Sequence, residues 1–338
     1  MADNKNNKTG NKLTWPLPLQ DPASPERWDA DVPLPAPRAN NPVRFWHHIE
    51  YGLMGALTGF FRLLGIDRAS AFSGAVFRTI GPLIKPVNKK ALRNLRYVMP
   101  ENSAQENRKI IRNIWENFGR TLAEFSMLDQ FKPFEDDRFE LEGADILEKL
   151  VREETQAIYF SGHFANWELM SPLLYRAGVR NGFIYRPMNN PLTDKLVIKR
   201  RASTMSRVQL PKGKQGGRSL IRILVKGYSI LTMQDQKLNT GEPIPFMGKE
   251  AMTAVAATRM ALKYKLPLVP VAIRRLDGAR FRVIIREPII VQDTGDINKD
   301  VYDATLKMND VLGEFIREKP GDWLWFHGRW PKDQMGDL

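Results

Sequence analysis

A chain of 338 residues can bury one large core or two small ones, and its 51 Lys+Arg against 38 Asp+Glu give a formal charge of +13. It has no cysteine, which excludes disulfides, thiolate-bound zinc and a cysteine nucleophile and suits a reducing compartment. The positive surplus narrows the partners to nucleic acid, an anionic membrane face or a polyanionic substrate.

Residues 1–42 hold eight of the 23 prolines and hardly any apolar periodicity, so they are expected to form a disordered tail. The polar start Met1 to Thr14 shows neither a signal peptide nor a cleavage site. In residues 43–87, Phe45-Trp46 opens an apolar stretch through Leu53, Leu57, Phe60, Leu63 and Leu64, broken by Glu50 and Arg62. A second stretch, Ala69 to Val87, is broken by Arg78, Pro82 and Lys85. Neither is a clean run of about 20 uncharged residues. The entry aromatics and flanking bases suit a helix pair at a membrane interface, against the alternative of ordinary core helices.

Lys85, Lys89, Lys90, Arg93 and Arg96 follow with no acid between them, a solvated face that also suits anionic head groups. Ser103-Ala-Gln-Glu106 has the form of a capping box. It starts a helix in which Ile110, Ile111, Ile114, Trp115, Phe118 and Leu122 recur at helical spacing, as core or as the wall of an apolar groove.

From Ala157 onward, short apolar runs at 157–160, 183–185, 228–233, 268–273 and 281–285 alternate with helical patterns at 167–175, 192–205, 217–226, 253–264 and 302–316. Such alternation predicts an α/β fold with a largely parallel central sheet covered by helices. Ligands bind such sheets outside the carboxyl ends of the strands. His163, Arg186 and Asp235 each follow a strand directly, so all three can face one crevice.

Ser161-Gly-His-Phe-Ala-Asn-Trp-Glu168 stands on the first strand-to-helix turn of that series. The spacing His-x4-Glu lets Glu168 reach back to the His163 imidazole. A carboxylate on one ring nitrogen fixes the tautomer and leaves the other free to take a proton from a bound hydroxyl. The alternative is a polar pair capping a helix.

This stretch resembles the H-x4-[DE] block of the glycerolipid acyltransferase superfamily, and its form His-x-x-Asn-Trp-Glu is similar to the bacterial lipid A (lauroyl or myristoyl) late acyltransferases. Phe183-Ile184-Tyr185-Arg186 resembles the second block. Met233 to Gly248, with Asp235 and Pro245-Phe246-Met247-Gly248, stands where the third lies, and Leu266-Pro267-Leu268-Val269-Pro270-Val271 resembles the fourth. The resemblance runs from about residue 43 to 330. It implies a glycerol-3-phosphate acyltransferase-like fold, a membrane-associated segment at 43–87 and an acyltransferase domain at 88–338. It also implies an acyl carrier protein as donor, a lipid A precursor as acceptor, and work at the cytoplasmic face of the inner membrane. Competing readings are transfer to a lysophospholipid or another glycolipid, and a basic membrane-binding protein without catalysis.

Acyl transfer from a thioester needs a base for the hydroxyl and donors for the oxyanion. His163 with Glu168 would supply the first. Backbone amides near Asn166, or its side chain, would supply the second, although Asn166 suits a helix cap equally. Arg186 suits planar phosphate recognition, or else a surface salt bridge. Asp235 would orient a sugar hydroxyl or a basic side chain, or cap its loop.

Residues 193–226 carry ten Lys or Arg, including Arg200 and Arg201, against one acid, a net +9 that points to a multiply charged acceptor. Gly213, Gly216 and Gly217 loosen the middle of this segment for backbone approach to an anion. It contains no aromatic residue, which argues against nucleic acid, whose single strands stack on aromatics. No GxGxxG, P-loop, HExxH or GxSxG occurs and no histidine has metal-ligand spacing, so neither cofactor nor metal site is expected. In the ending Trp323-Leu-Trp-Phe-His-Gly-Arg-Trp330, His327 is expected to pack.

Overall fold

The computed structural model describes residues 14–36, 42–212 and 214–335. The expectations placed on residues 1–13 and 37–41, on Gly213 and on the side chains of 214–218 lie outside the described residues.

The strands in chain order are β1 (Phe139–Glu142), β2 (Ile158–Ser161), β3 (Asn181–Tyr185), β4 (Gln209–Pro211), β5 (Ser229–Met233), β6 (Glu242–Phe246), β7 (Lys249–Thr253), β8 (Leu268–Arg275) and β9 (Phe281–Ile285). Seven of them form one sheet in the order β1-β9-β8-β2-β5-β3-β4, and β6 with β7 makes a separate antiparallel hairpin. Every neighbouring pair in the large sheet is parallel except β8 with β9. The chain is thus mixed α/β on a mostly parallel sheet. All four residues of β2 are buried, as a strand covered on both faces requires.

The helices are α1 (Phe45–Leu64), α2 (Ile66–Ile80), α3 (Lys85–Val98), α4 (Ala104–Phe125), α5 (Ala144–Arg152), α6 (Met170–Arg176), α7 (Pro191–Ala202), α8 (Lys214–Val225), α9 (Ala256–Tyr264) and α10 (Ile297–Glu318). Connections from β2 through α6 to β3 and on through α7 to β4 step one way across the sheet, and those carrying α8 and α9 step back. Right-handed crossovers therefore set α6 and α7 on one face and α8 and α9 on the other. The capping box at Ser103 forms: its hydroxyl accepts from the Glu106 N–H at 3.2 Å, and Glu106 accepts from the Ser103 N–H at 2.7 Å.

Two expectations about the N-terminal part need correction. Residues 14–36 are a strap packed on the domain rather than a loose tail. Arg27 donates to the carbonyls of Ala202 and Met205 at 2.8 and 2.7 Å. Buried Asp29 pairs with Arg27 and accepts the backbone N–H of Arg207 at 2.5 Å. Trp28 packs against Tyr175 and Tyr228. A few such anchors, not a periodic apolar face, hold the strap, and composition does not register them.

Nor does residue 87 separate two units. Helix α2 buries Ala69, Ser70, Ser73 and Gly74 and packs along α4, with the Ser73 hydroxyl donating to the Gly119 carbonyl at 2.6 Å. Helix α1 lies over the start of α7, where Asn190 donates to the His47 carbonyl at 3.0 Å. It turns Phe45, Trp46, Leu53, Leu57 and Leu63 to solvent, Leu63 at 86% exposure. Among the described residues no helix is long and apolar enough to cross a membrane.

Candidate active site

Strands β2 and β5 run side by side, with Ser161 opposite Met233. Two residues beyond each, at the carboxyl ends, stand His163 and Asp235. Register alone thus brings an imidazole and a carboxylate together. The ring Nδ1 of His163 lies 2.9 and 3.1 Å from the two Asp235 oxygens, and its backbone N–H donates to Oδ2 at 2.8 Å. Trp323 adds its indole N–H to the same oxygen at 2.7 Å. The approach is tight: a Cβ on Gly162 would meet the Phe164 ring at 2.9 Å and the Asp235 Cβ at 3.2 Å.

Burial opposes ionisation of Asp235, but the attraction of His163 and these hydrogen bonds outweigh it and hold the carboxyl far below its usual range. Burial likewise disfavours the imidazolium of His163, and the Asp235 charge and hydrogen bond overcome it, leaving the pKa above the ordinary histidine value. An ionised carboxylate only accepts, so Nδ1 carries the proton and Nε2 is the basic nitrogen.

The expectation that Glu168 orients His163 is corrected. Its carboxylate is held by Arg201, with Nε at 2.9 Å and Nη2 at 2.6 Å. The Arg201 guanidinium also lies over the rings of Phe125, Phe183 and Tyr185, so it is engaged inside the protein rather than open to a ligand. Glu168 acts on His163 only through its charge, which adds to the favouring of the imidazolium.

Asn166 serves neither as a cap nor as an open donor. It is wholly buried, and its Nδ2 donates to Glu124 Oε2 at 2.8 Å. Glu124, buried in α4, also takes Ser70 at 2.6 Å and both arms of Arg275 at 2.5 and 2.9 Å. Beside it Ala165 is held in the left-handed region at φ 39°. Its N–H donates to the Asp322 carbonyl at 2.7 Å and its own carbonyl accepts from Thr121 at 3.1 Å. The turn carrying His163 is therefore fastened from behind by α4 and by Asp322 and Trp323.

Arg186 is exposed and directly follows the carboxyl end of β3. Arg200 sits half-buried over Phe125, 5.6 Å from the ring centre, where burial pulls its pKa down against the favourable pull of Asp129. The basic segment is not one surface. Arg201 turns inward to Glu168, Arg207 donates to the Val32 carbonyl at 2.9 Å, and α7 and α8 lie on opposite faces.

Two more residues enter: Gln236, which sequence reasoning missed, and His327, which it expected to pack. Gln236 follows Asp235, and its Nε2 stands 3.4 Å from His163 Nε2 and 3.0 Å from His327 Nε2. The two imidazole rings are 5.8 Å apart, and the Asn94 amide anchors the His327 carbonyl at 2.7 Å. Burial and the positive charge of His163 hold the His327 pKa below its ordinary value. Adjacency to Asp235 was the available signal for Gln236; that His327 packs beside His163 depends on how the distant chain end folds back.

The family described as bacterial lipid A biosynthesis acyltransferase matches residues 44–332. The lipid A biosynthesis palmitoleoyltransferase of Escherichia coli (strain K12) is 25% identical over 273 residues, covering 76% of this chain and 84% of that protein. The lipid A biosynthesis lauroyltransferase of the same organism is 25% identical over 245 residues, covering 70% and 76%. A solved 1-acyl-sn-glycerophosphate acyltransferase from Thermotoga maritima superposes with a TM-score of 0.33 at 15% identity, covering 80% of this chain and 97% of that one. Because the family match spans every strand and helix that builds the His163 turn, the chain belongs to the bacterial lipid A biosynthesis acyltransferases and is itself an acyltransferase.

Proposed function

We propose that the protein moves a fatty acyl chain from an acyl-carrier-protein thioester to a hydroxyl of a lipid A precursor, with His163 as general base and Asp235 as its orienter. The observation that carries this reading is the 2.9 Å contact from His163 Nδ1 to Asp235 at the carboxyl end of a parallel sheet. As the acceptor hydroxyl oxygen attacks the thioester carbon, its proton passes to Nε2. The Asp235 carboxylate stabilises the imidazolium that forms. When the C–S bond breaks, the departing thiolate takes that proton back. A positioned base of this kind contributes about 10²–10⁴-fold.

Exposed Arg186 supports an anionic acceptor, since a guanidinium fork matches phosphate oxygens. The apolar ridge of Trp46, Leu53, Leu57 and Leu63 supports docking in the interface of the inner membrane, on its cytoplasmic face. The test is mass spectrometry of products from purified protein given an acyl carrier protein thioester with a lipid A precursor or with a lysophospholipid. Acylated lipid A precursor, lost in His163→Ala, is expected. Equal rates on the lysophospholipid would overturn the acceptor, and full rates with a coenzyme A thioester the donor.

A further inference from the structure

Four donors of the turn from His163 to Asn166 are already engaged. The backbone N–H of His163 goes to Asp235, that of Phe164 to the Gly162 carbonyl at 2.9 Å, and that of Ala165 to Asp322. The side-chain amide of Asn166 goes to Glu124. The side-chain amide of Gln236, by contrast, stands at His163 Nε2, beside which a tetrahedral intermediate would form.

While His163 is neutral its Nε2 accepts, so the Gln236 amide must turn its NH₂ toward it. One hydrogen points at His163 Nε2 over 3.4 Å, a long and weak contact, and the other at His327 Nε2 over a firm 3.0 Å. His327 thus fixes the amide, and the weaker contact marks the place where an acceptor hydroxyl would enter. We propose that Gln236 is the oxyanion donor of the acyl transfer, held in position by His327. This rests on the general-base reading of His163. As the hydroxyl oxygen bonds to the thioester carbon and its proton moves to Nε2, the carbonyl electron pair shifts onto oxygen. The N–H released from Nε2 then meets that oxygen. On collapse the pair returns, the thiolate leaves, and Nε2 gives it the proton.

Gln236→Met keeps the length of the side chain and removes the donor. Loss of one such donor costs about 10²–10³-fold in kcat. A merely structural or acceptor-binding residue would behave differently, so the readouts are kcat and KM separately, and hydrolysis of the same thioester by water. The expected result is a fall of that size in kcat for both transfer and hydrolysis with KM little changed. Gln236→Glu, which cannot donate when ionised, should fall at least as far and move the acid limb of the pH profile to higher pH. His327→Asn should show a smaller fall in both rates. A Gln236→Met enzyme with near wild-type kcat, or with only KM raised, overturns the proposal, while an inactive His163→Ala in the same assay leaves the general-base reading standing. Wild-type turnover by His163→Ala would instead sink that reading first.

Discussion

Arg201 grips Glu168 with two N–H donors, at 2.9 and 2.6 Å, and so withdraws from His163 the carboxylate nearest to it in sequence. Asp235 takes that place. Asp235→Asn should therefore lower kcat by about 10³–10⁴-fold, as when an orienting carboxylate is lost from a histidine base. Glu168→Gln should cost less in rate than in stability, roughly 3 kcal/mol, because it strips a nearly buried guanidinium of its partner. Steady-state kinetics beside denaturant unfolding of the two variants separates these effects. The reverse ranking of rates would return Glu168 to the role of orienter.

The raised pKa of His163 fixes the sense of the pH profile. On the proposed role of His163 as base it must be neutral, so kcat/KM should be full at high pH and fall as pH drops through a value above the ordinary ~6.5 of histidine. Asp235→Asn removes the attraction that raises it, so the acid limb of the residual activity should move to lower pH. Profiles from about pH 5 to 9 show both.

Glu124 is a buried carboxylate with four donors from Ser70, Asn166 and Arg275. Removing Asn166 by substitution with Ala takes one charge-assisted bond and should cost about 1.5–3 kcal/mol. Glu124→Ala leaves Arg275 buried and unpaired, and about 3–5 kcal/mol should be lost. Unfolding midpoints in urea measure both, and a Glu124→Ala protein as stable as wild type would contradict the network.

The outward residues of α1 and the inward Phe61 should part company in experiment. Leu53→Glu and Leu57→Glu each forgo about 1.5–3 kcal/mol of apolar burial if the ridge enters a bilayer, roughly ten- to hundred-fold in vesicle binding. Their thermal midpoints should stay near wild type. Phe61→Ser should do the opposite. Sedimentation with anionic vesicles and melting curves decide it.

Deleting residues 1–36 should destabilise the folded domain, since it removes the buried Asp29 and the Trp28 packing. Trp28→Ala alone should cost on the order of 3 kcal/mol. An unchanged unfolding midpoint for the deletion would mean that the strap contributes nothing.

The strands that carry the site were readable because each is a short, mostly buried apolar run: 183–185, 268–273 and 281–285 fall within β3, β8 and β9, and 157–160 and 228–233 begin one residue ahead of β2 and β5. The hairpin β6–β7 was not, since Pro243 and Pro245 break the strand pattern and are tolerated only because β6 has a single partner. His163 and Asp235 were both placed after strands, but their contact depends on β2 and β5 being neighbours, which is a property of strand order and not of local sequence. The pairing of Glu168 with Arg201 was hidden for the same reason: i,i+5 proximity gave way to a partner on α7.

Trp323 donates to Asp235, the Asp322 carbonyl holds Ala165, and Asn94 ties down the carbonyls of Trp325 and His327. Residues 322–327 follow every other part of the site in the chain. During synthesis the sheet, α4 and the His163 turn can all emerge and begin to fold first. The His163 turn, however, is not fully framed until residues 322–327 have left the ribosome, so a nascent chain can have its core before this turn is complete.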